Sequence, residues 1–453
     1  MNNNKVNPST LSGFMELLPQ EQVKFNKIET VLKEVYGLYG FYPLDTPVLE
    51  KSEVLLAKAG GETEKQIYRF LKGDTDLTMR FDLTVPLAKY VAKNYNELVF
   101  PFKRYQIGKV YRGERAQKGR FREFYQADID IIGDGELNII NDAEIPSIIY
   151  QTFNCLGLND FTIRINNRKI LSGFFNMLKL NDKTVDVMRI VDKIEKIGEE
   201  NFMDELKAIG VPNGDCSKIL EFIKIKGTNE EIITSLKKFA GSNEMFDQGI
   251  NELELINKYI ADFQVPKENY KIDLSIARGL DYYTGTVYET IFNKHPEIGS
   301  ICSGGRYDNL AEYYTNKNLP GVGISIGLTR LFYVLNEMDY ISNLNNAPAD
   351  VLIIPMTTDL SYAINISTSL RNNKIKTQIY FEDKKFKNKI SYANRTNINY
   401  VLFLGEDEIS EKRVTIKNLE TGEQFNFPLE EAIDMIKNHI EELTKETIIN
   451  TDK

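Results

Sequence analysis

The chain has 453 residues, of which 42% are hydrophobic and 27% charged, and its formal net charge is −9. This length predicts two to four domains with full hydrophobic cores. No run of about 18 apolar residues occurs, which excludes a membrane-spanning helix. The three cysteines lie far apart and only two histidines occur, which excludes a disulfide framework, a cysteine-built zinc site and a histidine-rich metal centre. The first residues contain no apolar core of a secretory signal, so we expect a cytoplasmic protein with no membrane partner.

The first third of the chain alternates helices with antiparallel strands. Apolar residues at helical spacing predict a helix over 20–39 that ends at Gly40. A strand-like segment with Pro43 and Pro47 follows, and these prolines favour a sheet edge or a dimer seam. The remaining elements are a hairpin over 66–80, a helix near 85–95 and two long strands over about 99–112 and 121–133. Strands and helices without a regular βαβ order predict an α+β domain.

The middle of the chain changes character. Residues 182–262 are helical and polar, which predicts an inserted helical subdomain. Strand patterns return over 270–277 and 282–292, followed by a predicted glycine-rich turn at Ser303-Gly-Gly305 and a helix from about Gly327.

The C-terminal part begins after a predicted linker over 343–350. Short apolar strands then alternate with helices, which predicts a small α/β domain with a mainly parallel sheet over 351–453. Two windows are strongly basic although the chain is acidic overall. Residues 103–122 carry eight basic side chains against Glu114, and residues 371–395, here called the basic band, carry eight against two. A charged window is either a solvated surface or a surface that faces an anion.

Polar residues share one face of the second long strand. Side chains alternate along a strand, so Phe124, Gln126, Asp128 and Asp130 point to the same side. An aromatic ring, an amide and two carboxylates predict the floor of a pocket, and the alternative is an exposed polar sheet face. A basic side chain of the neighbouring strand could bind a phosphate there.

Three further segments are rich in glycine and charge. Arg278 to Thr286 combines an arginine, an aspartate and two tyrosines. In Cys302 to Asp308, two adjacent glycines would let the backbone approach a ligand closely. Gly321 to Arg330 matches neither the dinucleotide-binding fingerprint nor a P-loop.

These segments resemble the motifs of class II aminoacyl-tRNA synthetases. The segment around Pro47 is similar to motif 1, Phe102–Gly133 with Arg112-Gly-Glu114 to motif 2, and Gly321–Leu331 to motif 3. Arg278-Gly-Leu-Asp-Tyr-Tyr283 and Ser303-Gly-Gly-Arg-Tyr307 resemble the two signatures of the histidyl-tRNA synthetases. The resemblance implies a class II antiparallel sheet flanked by helices, with a C-terminal α/β anticodon-binding domain.

The resemblance implies this domain organisation: a first catalytic part over 1–181, the helical insertion over 182–262, a second catalytic part over 263–342, the linker over 343–350 and the anticodon-binding domain over 351–453.

The resemblance also implies roles for individual residues. For ATP it assigns Arg112 to the α-phosphate, Glu114 to the adenine amino group, Phe124 to stacking on the base and Arg330 to the γ-phosphate. Arg112 and Arg278 are the implied catalytic residues, with Arg278 in the place where other class II enzymes hold a metal ion. The implied histidine-binding residues are Asp82, Leu83, Thr84, Arg112, Gln126, Asp130, Arg278, Tyr282, Tyr283 and Tyr307. Among them, Asp82, Thr84 and Gln126 accept from the α-amino group, and Asp130 and Tyr283 satisfy the imidazole nitrogens.

The implied activity is the activation of L-histidine with ATP and Mg²⁺, followed by transfer of histidine to tRNA(His). No protein side chain is assigned to a metal. A homodimer is expected, because the motif 1 helix and strand form the subunit seam in this architecture. The main alternative is the synthetase-like regulatory subunit of histidine biosynthesis, which typically lacks the anticodon-binding domain. A nucleic-acid-binding protein without catalysis and another class II synthetase are the others.

Overall fold

The structure is a computed structural model that describes residues 6–57, 66–115, 119–277, 282–342 and 344–445. The chain divides into two compact units. The larger unit comprises residues 1–15 and 31–338, and the smaller unit comprises residues 16–30 and 339–453. No helix in these described ranges is long and apolar enough to cross a membrane.

The larger unit is organised around antiparallel strands. In chain order, its strands are β1 (Tyr42–Pro43), β2 (Leu49–Lys51), β3 (Arg69–Lys72), β4 (Thr75–Met79), β5 (Phe102–Tyr111), β6 (Glu123–Ile132), β7 (Phe161–Asn167), β8 (Tyr270–Ile272), β9 (Thr286–Phe292), β10 (Cys302–Tyr307) and β11 (Gly321–Ile326). Eight of the described strands form one sheet in the order β1-β5-β6-β11-β10-β9-β7-β8, and β2-β4-β3 form a small second sheet. In the large sheet the pairs from β5 to β7 are all antiparallel. Only the edge strands β1 and β8 pair in parallel, and β1, with Pro43, lies at the edge that its prolines predicted.

The helices between residues 19 and 337 alternate with these strands and make up most of residues 168–262. In chain order they are α1 (Pro19–Leu38), α2 (Ser52–Leu55), α3 (Thr84–Lys93), α4 (Ile140–Cys155), α5 (Arg168–Met177), α6 (Thr184–Val191), α7 (Ile194–Ala208), α8 (Asn213–Ile223), α9 (Asn229–Lys237), α10 (Glu244–Asp262) and α11 (Leu328–Glu337). In α1 the residues Ile28, Val31, Leu32 and Val35 are buried, as the helical spacing predicts.

Two of the predicted elements are wrong. Ser303-Gly-Gly305 is not a turn, since it lies inside β10. A side chain at Gly304 would place its Cβ 2.1 Å from the Gly323 carbonyl oxygen, so lateral packing rather than a chain reversal requires glycine here. The strand predicted over 270–277 ends at Ile272, because Ser275 donates its backbone N–H and its hydroxyl to Asp273 and forms a side-chain turn.

The smaller unit contains a five-stranded mixed sheet. Its strands are β12 (Val351–Pro355), β13 (Thr377–Ile379), β14 (Tyr400–Leu404), β15 (Arg413–Asn418) and β16 (Gln424–Pro428), and its other helices are α12 (Ser361–Asn372), α13 (Phe386–Arg395), α14 (Glu406–Glu411) and α15 (Leu429–Lys445). The order is β13-β12-β14-β15-β16, parallel over the first three strands and antiparallel over the last three. The predicted mainly parallel sheet is therefore only half right. The hairpin β15–β16 contains no continuous apolar run, because β16 is largely exposed and alternates phenylalanine with polar residues.

Candidate active site

The candidate site lies on the face of the large sheet where β6 runs between β5 and β11. Asp128 is opposite Gln106 on β5 and Ser325 on β11. Directly opposite residues share a face, so the polar face of β6 continues onto both neighbouring strands. A cavity of about 380 Å³ opens over this face.

Glycines on β10 and β11 make room for side chains above the sheet. A Cβ on Gly321 would lie 2.5 Å from the ring of Tyr307, and one on Gly323 would lie 2.3 Å from Asp130 Oδ1. A Cβ on Gly305 would meet the ring of Tyr283 at 3.0 Å. The sequence pattern suggested that glycines bring the backbone close to a ligand. In the structure Gly304 lines the cavity, while Gly305, Gly321 and Gly323 leave room for the rings of Tyr283 and Tyr307 and for the Asp130 carboxylate.

Most of the predicted site residues line this one cavity. Those that line it are Asp82, Thr84, Arg112, Glu114, Phe124, Gln126, Tyr282, Tyr283 and Arg330. Three others, Leu83, Asp130 and Tyr307, are buried outside the lining. Arg278 lies outside the described residues.

Asp82 stands at the start of α3 and closes one end of the cavity. Its Oδ1 accepts the Val85 backbone N–H at 3.0 Å, which ties the carboxylate to the first turn of the helix. Burial raises the pKa of Asp82 to about 6, while the Val85 N–H and the nearby Arg112 act in the opposite direction. The second oxygen of Asp82 has no hydrogen-bond partner among the described residues.

Asp130 is held from two sides behind the cavity. The Tyr307 hydroxyl donates to Oδ1 at 2.8 Å, and the Arg104 guanidinium lies 2.7 Å from Oδ2. Burial raises the pKa of Asp130, and Arg104 and Tyr307 oppose that rise. Arg104 is itself fully buried and donates to the Leu83 carbonyl oxygen at 3.1 Å, which links β5 to the segment before α3.

Gln126 and Asp128 both contact the hydroxyl of Ser325. Gln126 donates its side-chain amide to this hydroxyl at 2.7 Å, and Ser325 in turn hydrogen-bonds Asp128. Burial raises the pKa of Asp128 to about 7, Arg104 lowers it and Asp130 raises it further. We call Asp82, Asp128 and Asp130 the carboxylate cluster. Ser325 and Asp128 line the cavity although the motif comparison gave them no role, and the alternation along β6 and β11 is the signal that locates them.

Three buried acceptor atoms in this wall have no donor within the described part of the chain. They are Asp82 Oδ2, Gln126 Oε1 and Asp128 Oδ1. Buried acceptors are normally satisfied, because leaving one unpaired costs about 1–3 kcal/mol. Three unpaired acceptors around one cavity fit a ligand that brings several N–H donors.

Arg112 and Arg330 also line the cavity. The Arg112 guanidinium lies over the Phe124 ring, 5.2 Å from its centre, and its Nε donates to the Phe81 carbonyl oxygen at 2.9 Å. Arg330, in the first turn of α11, donates to the carbonyl oxygens of Ser300 and Ile298. Glu114 lies 4.0 Å from Arg120. Cations and an aromatic ring in the same cavity as unpaired acceptors fit a nucleotide beside an amine.

The two consecutive tyrosines form the wall opposite the strand floor. The rings of Tyr282 and Tyr283 are 4.9 Å apart in an edge-to-face arrangement, and Tyr282 hydrogen-bonds Thr84. Burial raises the pKa of both hydroxyls, so they stay protonated donors at neutral pH. A second cavity of about 990 Å³ adjoins the first and shares Arg120, Ser300 and Arg330 with it.

No group of three or more metal-ligating side chains occurs in the ranges that the structure describes. The residues therefore offer no protein-built cage for a metal ion, and a hard cation such as Mg²⁺ would depend on phosphate oxygens of a nucleotide for most of its ligands.

Comparison with known proteins identifies the family. The family model for histidyl-tRNA synthetase matches residues 13–331, and that for the anticodon binding domain matches residues 350–439. A histidine–tRNA ligase of Clostridium tetani is 59% identical over 434 residues, covering 96% of this chain and 99% of that protein. A histidine–tRNA ligase of Clostridium acetobutylicum is 49% identical over 430 residues, covering 95% of this chain and 100% of that protein.

Solved structures agree with the sequence relatives. The histidyl-tRNA synthetase of Nostoc sp. PCC 7120 superimposes with a TM-score of 0.88 at 38% identity, covering 96% of this chain and 100% of that one. The motifs, the fold and full-length identity to curated relatives all agree, and the chain belongs to the histidyl-tRNA synthetase family of class II aminoacyl-tRNA synthetases.

Proposed function

We propose that the cavity activates L-histidine with ATP to histidyl-adenylate, releasing pyrophosphate, and that the chain then transfers histidine to tRNA(His). The observation that carries this proposal is the set of three unpaired buried acceptors in one cavity wall. Histidine brings an ammonium group and a ring N–H, which are the donors that such a wall needs.

The amino-acid end is assigned to the carboxylate cluster and its neighbours. Asp82, Thr84 and Gln126 take the α-amino group, and Leu83 contributes through its backbone, which fixes Arg104. Asp130 and Tyr283 serve the imidazole end, Tyr282 forms a wall, and Tyr307 lies outside the lining and donates to Asp130. A buried polar pocket of this kind rejects amino acids that leave its groups unpaired.

The nucleotide end is assigned to the arginines. Phe124 stacks on adenine, Glu114 accepts from its amino group and Arg330 holds the γ-phosphate. Because the Arg112 guanidinium lies over the Phe124 ring, an adenine that stacks there has its α-phosphate within reach of the same arginine. Arg278 is proposed as a further donor at the α-phosphate.

Catalysis in this proposal is positioning and charge stabilisation. The histidine carboxylate attacks the α-phosphorus and pyrophosphate leaves, so no side chain acts as a covalent nucleophile. Arg112 donates to the oxygens that gain charge in the transition state. Mg²⁺ enters with the ATP phosphates and neutralises their charge. The dependence of the rate on Mg²⁺ at fixed ATP tests this part.

A homodimer and a cytoplasmic location belong to the same proposal. At the β1 edge of the large sheet, Leu38 and Tyr42 are 73% and 69% exposed, which is unusual for large apolar side chains. A second copy that covers this edge would bury them. Sedimentation at micromolar concentration tests the dimer, and a fully active monomer would contradict it.

The decisive experiment is ATP–pyrophosphate exchange with each of the twenty amino acids, followed by charging of tRNA(His). We expect exchange with histidine alone and charging of its tRNA. The regulatory-subunit alternative predicts no exchange with any amino acid. Curated relatives at 59% and 49% identity over nearly the whole chain are named histidine–tRNA ligases, which favours the enzyme over that alternative.

A further inference from the structure

Asp128 is a buried carboxylate that faces the cavity and is not used by the roles assigned above. Its side chain is 2% exposed and lines the cavity. Ser325 hydrogen-bonds the carboxylate, whereas Oδ1 has no partner among the described residues. Gln126 and Asp130 lie on the same face of β6 as Asp128, two residues before it and two residues after it.

Asp130 differs from Asp128 in the partners of its two carboxylate oxygens. Tyr307 donates to one and Arg104 pairs with the other, so both are engaged by protein groups. Asp130 also lies outside the cavity lining. Of these two carboxylates, only that of Asp128 offers an unpaired oxygen to the cavity.

Resting on the proposed function, we propose that Asp128 is a specificity-determining residue, whose Oδ1 accepts a hydrogen bond directly from the imidazole N–H of histidine. The assignment follows by distributing donors over acceptors. Asp82 Oδ2, Gln126 Oε1 and Thr84 take the three N–H donors of the ammonium group, as proposed above, which leaves Asp128 Oδ1 for the ring. Asp130, which the resemblance assigns to an imidazole nitrogen, acts indirectly in this arrangement, through its contacts with Tyr307 and Arg104.

The geometry of Ser325 supports this arrangement. Its hydroxyl accepts from Gln126 and hydrogen-bonds Asp128, so one side chain orients the acceptors for both ends of the amino acid. A substrate ring of similar shape without an N–H would leave a buried carboxylate oxygen unpaired. Such a ring is therefore expected to bind more weakly.

The test uses full-length Asp128→Asn and Asp128→Ala in histidine-dependent ATP–pyrophosphate exchange. A hydrogen bond to a charged group corresponds to a factor of about 10–100 in affinity. We expect KM for histidine to rise by that factor in the alanine variant and by less in the asparagine variant, which keeps one acceptor. KM for ATP should stay unchanged. Asp134→Asn, the same chemical change at an exposed aspartate beyond β6, is the matched control.

Competition by 4-thiazolylalanine, in which sulfur replaces a ring N–H, gives a second measurement. Wild type should prefer histidine strongly over this analogue, and Asp128→Ala should lose most of that preference. An unchanged KM for histidine, an unchanged preference, or an equal rise of KM for histidine and ATP would each overturn the role of Asp128. Absence of histidine-dependent exchange in the wild type would instead overturn the proposed function.

Discussion

The carboxylate cluster of the larger unit and the basic band of the smaller unit use charge in opposite ways. The cluster members are at most 3% exposed, and protein groups fix their positions. In the basic band, Lys384, Lys385 and Lys387 are exposed at the start of α13, where water and salt surround them. Charge in the first region acts over hydrogen-bond distances and selects a small molecule. Exposed charge in the second region is screened by salt, and it is either a solvated surface or a surface that attracts an anionic polymer.

The largest expected effect comes from breaking the buried pair of Arg104 with Asp130. Arg104→Met removes the cation and leaves a buried carboxylate uncompensated, which should lower the free energy of unfolding by about 3–5 kcal/mol. Chemical denaturation measures this change. Arg69→Met, which breaks an exposed pair with Asp76, is the control and should cost at most about 1 kcal/mol. Equal losses in the two variants would remove the distinction between buried and exposed charge.

The next effect concerns Arg112 and the rate of histidine-dependent exchange. Arg112→Ala should slow histidine-dependent exchange by about 10²–10³-fold, because a donor to developing phosphate charge is lost. Circular dichroism should match the wild type, since Arg112 is only partly buried. An exchange rate within a factor of about three of the wild type would show that Arg112 is structural, since removal of such a donor costs far more.

The basic band should affect only the reaction that involves tRNA. Reversing Lys384, Lys385 and Lys387 to glutamate should weaken tRNA charging about tenfold and flatten its log–log salt dependence by about 0.7–0.9 per lost phosphate contact. Exchange without tRNA should be unchanged. The corresponding glutamine variant separates loss of charge from reversal. If neither assay changes, the band is a solvated surface.

A separate effect is expected on stability as a function of pH. The pKa of Asp128 is raised by burial to about 7 in the folded protein, and an unfolded aspartate titrates near pH 4. The folded state therefore loses stability as pH rises from about 4 through about 7, where it must ionise a buried acid. Asp128→Asn should unfold at nearly the same temperature as the wild type at pH 4. By pH 8 it should be more stable by roughly 4 kcal/mol, or a few degrees, when no substrate is bound. A difference that does not depend on pH would contradict the raised pKa.

Local patterns predicted α1, the long strands β5 and β6 and the polar face of β6, because period and turn chemistry are encoded by neighbouring residues. These patterns do not show which side chains line the cavity and which lie outside it. Asp128 and Asp130 look alike on the strand. Asp130 lies outside the cavity lining. Its carboxylate is bound by Tyr307, which is 177 residues distant in the chain, and by Arg104 on the adjacent strand. The glycines of β10 suggested a turn, because their close contacts with Gly323 on β11 and Thr286 on β9 exist only once the three strands have paired.

Those glycines also limit how the pocket can change. Gly321 and Gly323 face Tyr307 and Asp130 at distances that leave no space for one additional carbon. A substitution at either glycine would displace a group of the imidazole end, and a larger residue there requires a smaller one opposite. Changes of amino-acid preference in this pocket are therefore expected to occur as coupled pairs, with each single step passing through a less active protein. A double-mutant cycle of Gly321→Ala with Tyr307→Leu would measure that coupling, and additive effects would show that the two sites evolve independently.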